Sequence, residues 1–225
     1  MRTHSLCSLI ALVATVVAAP RPSLASSDCA NAIAARVEQR YEKVTDLAAH
    51  FVQTTQRVAL GGAAGDAIIA RGDVVFAKPG RMRWSYDSPD PSLVVSDGAT
   101  LWIYDPKARE AQKLPLAAGY LSAAGVQFLL GEGKLHDEFR VTVSGCGDSV
   151  VTLGLTPKRE AQYERIDLRV DRSSATVRET TVVDLFGNRT TITFDGLREN
   201  SKPAADSFAF TPPEGVRVLS LPSAP

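Results

Sequence analysis

The chain has 225 residues, 25 cationic against 25 anionic side chains, and 44% apolar residues. Such a balance argues against nucleic-acid partners, which would favour a basic stripe. A chain of this length and apolar content is able to bury a core as a single domain.

The first segment, Met1-Arg2-Thr3-His4, is short and basic. From Leu6 to Ala19 the only polar interruptions are Cys7, Ser8 and Thr15; Pro20 and Pro22 then break the run, and Ser23-Leu24-Ala25 supplies small residues two apart. Charged, apolar, small is the order of a secretory signal peptide. The apolar run is shorter than the roughly 20 residues that span a bilayer, which weighs against an uncleaved anchor. A lipid anchor needs a cysteine directly after a small residue at the cleavage point, whereas Cys29 follows Asp28. The expectation is a leader over 1–25, one domain over 26–219 and a flexible tail over 220–225, in a soluble periplasmic protein. Loss of Arg2 and Arg21 leaves 23 cations against 25 anions.

Cys7 departs with the leader, leaving Cys29 and Cys146. In an oxidising compartment two cysteines suggest a disulfide; the alternative is two separate buried thiols. A bridge would close a long loop, worth about 4–5 kcal/mol in the chain-entropy model, and would pin the first helix to the sheet.

That helix is expected over Asp28 to Tyr41. Ser27 or Asp28 can cap it, and Ile33, Val37 and Tyr41 recur every four residues on one face. Strands follow. Leu47, Ala49 and Phe51 alternate with polar or small neighbours; Gly61, Gly62 and Gly65 mark a loose connection; Arg71 to Ala77 carries Val74, Val75 and Phe76. Met82, Trp84 and Tyr86 alternate with Arg81, Arg83 and Ser85, a period of two. Leu93-Val94-Val95 runs into Asp97-Gly98, a strong hairpin signal, and Leu101 to Tyr104 returns. Residues 119–135 change character: Leu121, Val126, Phe128, Leu129 and Leu130 sit among small residues, as in short helices or an apolar loop. Strands resume over 139–143, 150–155, 163–170, 177–185 and 189–194, separated by turn residues. Ten or eleven short strands imply an antiparallel meander, and so large a sheet in so small a chain must curl. The two helical pieces are its only available cover.

Four blocks are recognisable as text. Phe76-Ala77-Lys78-Pro79-Gly80-Arg81-Met82-Arg83-Trp84 contains a Pro-x-x-x-x-Trp pattern. Pro91 to Pro106 contains Val95-Ser96-Asp97-Gly98-Ala99-Thr100-Leu101-Trp102-Ile103-Tyr104. Phe208-Ala209-Phe210-Thr211-Pro212-Pro213-Glu214-Gly215-Val216 closes the domain, and Leu47 to Gln53 opens the sheet. Together, and in this order, they resemble the LolA family of periplasmic outer-membrane lipoprotein carriers. The resemblance implies an α+β fold, mainly β: an unclosed antiparallel β-barrel under a helical lid. It implies a carrier without a cofactor; a monomer is expected from mechanism, because a carrier has to expose its mouth to two partners in turn. Such a carrier takes acylated lipoproteins from an inner-membrane ABC-type release complex and passes them to an outer-membrane receptor. It places the lid on Gln127-Phe128-Leu129-Leu130 and the release-complex contact on Met82. In well-studied family members an arginine before the proline holds the lid by hydrogen bonds. Here that residue is Lys78, which keeps the charge but lacks the planar fork.

Candidate acyl-chain liners are Phe51, Phe76, Met82, Trp84, Leu93, Val95, Trp102 and Tyr104, with Phe128, Leu129 and Leu130 on the lid; each could equally fill a core. Leu93 and Val95 lie opposite Val94, as Trp102 lies opposite Ile103, and alternation alone leaves open which set is concave. An enzyme is not expected. His50 and His136 sit in no nucleophile or metal motif, and Asp97 serves a turn. Other readings of the same architecture are a carrier of a different lipid or glycolipid, and a lipoprotein sensor, which would carry an additional domain. Leu129→Glu is expected to weaken lipoprotein acceptance while the chain stays folded; normal transfer by the folded variant would refute the assignment of the lid.

Overall fold

The computed structural model describes residues 24–58, 64–116 and 134–220. Twelve strands form one sheet: β1 Asp46–Val58, β2 Ala64–Ala77, β3 Arg81–Ser88, β4 Ser92–Asp97, β5 Thr100–Asp105, β6 Glu110–Pro115, β7 Phe139–Ser144, β8 Val150–Pro157, β9 Tyr163–Asp171, β10 Val177–Asp184, β11 Arg189–Glu199 and β12 Arg217–Ser220. Helix α1 spans Leu24–Lys43, and a single turn, α2, spans Leu135–Glu138. A 3-10 turn occupies Ala205–Phe208.

The order across the sheet is β12-β6-β5-β4-β3-β2-β1-β11-β10-β9-β8-β7. It consists of two local meanders, β1–β6 and β7–β11, joined by the antiparallel β1–β11 pair, in which Phe51 faces Phe194 and Gln53 faces Ile192. β12 is the exception to antiparallel pairing, running parallel to β6. Edges β7 and β12 do not pair, so the curled sheet stays open.

Register assigns the faces, because residues opposite each other on neighbouring strands project to the same side. One face carries Leu47, Ala49 and Phe51 of β1, Val74 and Phe76 of β2, Met82 and Trp84 of β3, and Leu101 of β5. It continues through Ile192 and Phe194, Ile166 and Leu168, and Leu153 and Leu155. All belong to one buried core, so this is the concave face.

Helix α1 lies over one end of it. Its period-four residues Ile33, Val37 and Tyr41 are buried, together with Ala30 and Ala34. The helix is tied to turns at that end: Arg36 donates to the Arg172 and Ser173 carbonyls, and Arg40 pairs with Glu199. Cys29 is disulfide-bonded to Cys146 in the β7–β8 turn. The helix begins at Leu24, earlier than its periodicity suggests, and so includes the expected cleavage point after Ala25. β6 and β12 also go beyond the sequence expectation; Arg217–Ser220 is a strand up to the start of the expected tail.

Asp46 anchors the β1–β11 seam at the same end as α1. Its buried carboxylate accepts from the Ser201 and Lys202 amides and the Ser201 hydroxyl, and the neighbouring Thr45 amide donates to Asn200.

The disulfide closes a 117-residue separation. Replacing both cysteines with serine is expected to lower the unfolding free energy by about 4–5 kcal/mol on the chain-entropy model; denaturant unfolding of variant and parent measures it, and equal midpoints would show that the non-covalent ties of α1 suffice.

Candidate functional site

The concave face is built around an aromatic cluster. Phe51 meets Trp84 edge-on at 4.9 Å and Tyr86 at 5.0 Å, and Phe76 meets Trp84 at 5.4 Å. Edge-to-face pairs of this kind are favourable beyond their area. Phe51 and Tyr86 touch across β2 because Gly72 stands between them in register. A Cβ on Gly72 would lie 1.9 Å from the Ser85 carbonyl oxygen, so the approach of β2 to β3 requires glycine.

Four of the expected liners, Phe51, Phe76, Met82 and Trp84, are thus brought together. All four are buried and in the core. The other four sheet residues are not with them. Trp84 is opposite Val94, and Val94 opposite Ile103, so Val94, Leu101 and Ile103 take the concave positions. Leu93, Val95, Trp102 and Tyr104 lie on the convex face. There the carboxy-terminal segment packs on them: Phe210 is 5.5 Å from Trp102 and 5.3 Å from Tyr104, and Phe208 lies under the Arg81 guanidinium. The Phe-x-Phe spacing is the signal for this, since two rings two residues apart need an apolar stripe to rest on. Val95 is fully buried, beneath that segment's side of the sheet. Phe128, Leu129 and Leu130 lie outside the described residues.

Lys78, half-buried, donates its ammonium to the Tyr41 carbonyl in the last turn of α1, and its amide donates to the Thr45 carbonyl. A cation at a helix carboxy terminus is favourably placed against the helix dipole. Burial pulls the Lys78 ammonium below its ordinary value, opposed by Glu42. Lys78 is thus hydrogen-bonded to the helix that caps the concave face.

Away from the cap the face becomes polar. Gln53 and Thr55 follow Phe51 on β1; Tyr86 Oη donates to Gln53 Oε1 at 3.1 Å, and Gln53 Nε2 reaches Thr55 Oγ1 at 3.4 Å. Burial pushes the Tyr86 phenol up, keeping it protonated. His50 sits on the convex side, exposed and paired with Asp73. Asp97 accepts from the Ala99 and Thr100 amides, which hold its carboxyl below the usual range. Among the described residues no three His, Cys, Asp or Glu side chains converge as a metal site, and no helix is long and apolar enough to cross a membrane.

The sequence model of the outer membrane lipoprotein carrier protein LolA matches residues 42–211, three-quarters of the chain, from the end of α1 to the convex-face segment. The chain belongs to the LolA family. An outer-membrane lipoprotein carrier protein of Cupriavidus necator is 34% identical over 84% of this chain and 90% of its own. One from Neisseria meningitidis serogroup C is 28% identical over 98% and 99%. Among solved structures, an uncharacterized conserved protein from Thermus thermophilus aligns with a TM-score of 0.51 at 13% identity, over 85% of this chain and 99% of that one. A LolA superfamily protein from Nitrosomonas europaea aligns at 0.46 and 12%, over 80% and 97%.

In this LolA-family chain the tie between α1 and the sheet has a pH signature. Burial pushes the Tyr41 phenol up to about 12 against the pull of the Val177 amide, which donates to it. A group whose folded pKa exceeds its unfolded value of about 10 stabilises the fold fully below pH 10. That contribution is lost as pH rises toward 12. Tyr41→Phe is expected to cost about 1 kcal/mol near neutrality, from the lost Val177 bond, and to lose stability less steeply than the parent between pH 10 and 12. Parallel alkaline unfolding curves would refute this.

Proposed function

We propose that the protein is a periplasmic carrier that shields the acyl chains of lipoproteins, accepting them from an inner-membrane release complex and delivering them to an outer-membrane receptor. The observation that carries this reading is the concave apolar face of an open sheet, capped by a helix held through a few polar ties. Family membership supports it, as do relatives named for the same task.

The energetics set what such a carrier does. A buried methylene is worth about 0.8 kcal/mol, and a triacylated ligand has on the order of 45 of them, or about 35 kcal/mol if all were buried. Known non-covalent affinities stop near 20 kcal/mol. The ligand therefore does not cross water unaided, and a carrier that buried it fully would not release it. Partial burial with direct hand-over satisfies both demands. An aromatic cluster beside a polar zone offers partial burial, and a cover that closes in competition with cargo favours release.

In this reading residues 1–25 are the export leader, the carrier acts as a monomer that offers its mouth to two partners in turn, and binding rather than catalysis is the whole activity. Lys78 holds the cap in the place of the family arginine. Segment 117–133, between β6 and α2 in the chain, supplies the lid residues Phe128, Leu129 and Leu130.

The test incubates the purified mature protein with vesicles carrying labelled lipoproteins, the release complex and ATP, followed by native mass spectrometry of the soluble fraction. The expected result is a one-to-one complex with triacylated lipoprotein. Capture of free lipid or glycolipid without lipoprotein would move the function to another cargo, and no ligand at all would refute the carrier reading.

A further inference from the structure

Thr180 lies in the middle of the concave face. Its register partners are Ile192 on β11 and Leu168 on β9, both buried in the core. Thr180 itself is 1% exposed. Among the described residues its hydroxyl oxygen is the one buried side-chain polar atom without a hydrogen-bond partner. Buried hydroxyls are normally paired, and one left unpaired is unfavourable. Valine has the same shape and carries no such cost, so packing alone does not account for threonine here.

The same cross-strand row contains Gln53, which faces Ile192 from the other side. Thr180 and Gln53 are thus two strands apart, about 10 Å. Gln53 is already oriented: Tyr86 donates to its carbonyl oxygen, and its nitrogen points at Thr55. The Thr55 hydroxyl, accepting from Gln53, keeps its own hydrogen to donate. Toward the α1 end this row gives way to Phe51, Phe194, Trp84 and Phe76, which are wholly apolar or aromatic. The concave face therefore has hydrocarbon-compatible walls near its cap and a band of hydroxyl and amide donors part-way along.

We propose that Thr180, with Gln53 and Thr55, forms a carbonyl-binding band that hydrogen-bonds the ester or amide groups at the head of the cargo's acyl chains. The assignment rests on the carrier reading and deepens it. Acyl chains are pure hydrocarbon except at the linkage, where each carries one carbonyl acceptor and no strong donor at the ester. A band of donors on an otherwise apolar concave face matches that pattern and would set the depth of insertion. The chains run toward the aromatic cluster while the linkages stop at the band. The hydroxyl of Thr180 gains its partner only from the ligand, so the band favours acylated cargo over plain hydrocarbon of the same length.

The test compares two synthetic probes with the mature protein. One is a triacylated lipopeptide with its natural ester and amide linkages; the other has the same chains joined through ether and amine linkages that lack carbonyls. Competition between them, read by native mass spectrometry, is expected to favour the carbonyl probe by roughly three- to tenfold in the parent protein. Thr180→Val is expected to remove most of that preference, Thr180→Ser to retain it, and ligand-free Thr180→Val to melt about 2–4 °C higher than the parent. Thr180→Ala carries the same comparison if the valine variant does not fold. Equal uptake of both probes by the parent, or an undiminished preference in Thr180→Val, would overturn the band while leaving the carrier reading intact. Uptake of neither probe by the parent would remove both.

Discussion

A sheet with a broad apolar face has to cover it, and among the described residues no second sheet does so. That requirement organises the rest of the molecule. Strict alternation along β1, β2 and β3 puts Leu47, Ala49, Phe51, Val74, Phe76, Met82 and Trp84 on one side. The equivalent stripe on β8 and β9 continues it. Curling brings the two stripes around a common interior, and α1 caps one end. At about 25 cal/mol per Å2 of apolar surface removed from water, this burial outweighs the modest polar ties that orient the helix. Lys78, Arg36, Arg40 and the Cys29–Cys146 bridge decide where the helix sits rather than whether the face is covered.

The convex side shows the same logic at smaller scale. Val95, Trp102 and Tyr104 form an apolar patch on the outer surface of β4 and β5, and the chain returns after β11 to lay Phe208 and Phe210 on it. The two apolar faces differ in their cover. The outer one is closed by a contiguous segment that continues into β12 and is held there by the β6 pairing. The inner one is capped by a helix tied along its length through Cys29, Arg36, Arg40 and Tyr41.

Much of this was legible in the sequence because it rests on periodicity. The helix face of Ile33, Val37 and Tyr41, the β3 alternation and the Asp97-Gly98 hairpin are local patterns, and Gly98 adopts the positive φ, 100°, that its turn demands. The partition of β4 and β5 was not legible, because it depends on cross-strand register rather than on composition. Val94 and Val95 are chemically the same residue; only the pairing of Trp84 with Val94 decides which one faces inward. β6, with Glu110, Gln112 and Lys113 among its six residues, has too little apolar alternation to announce a strand and is one through its neighbours. The role of Thr180 was likewise invisible, since a threonine in a strand is unremarkable until its surroundings are known.

The seam between β1 and β11 has a consequence for how the chain reaches this structure. β1 pairs with β2 through a short local connection, but its other edge waits for a partner about 140 residues further on. Long-range pairings of this kind are slow, because chain entropy is spent before the contact returns anything. A chain emerging amino terminus first can assemble the β1–β6 meander early, yet it then presents Phe51 and its neighbours along an unsatisfied edge until β11 arrives. The newly exported protein is thus briefly in the condition of its own cargo: an apolar surface in water, waiting for another segment to cover it.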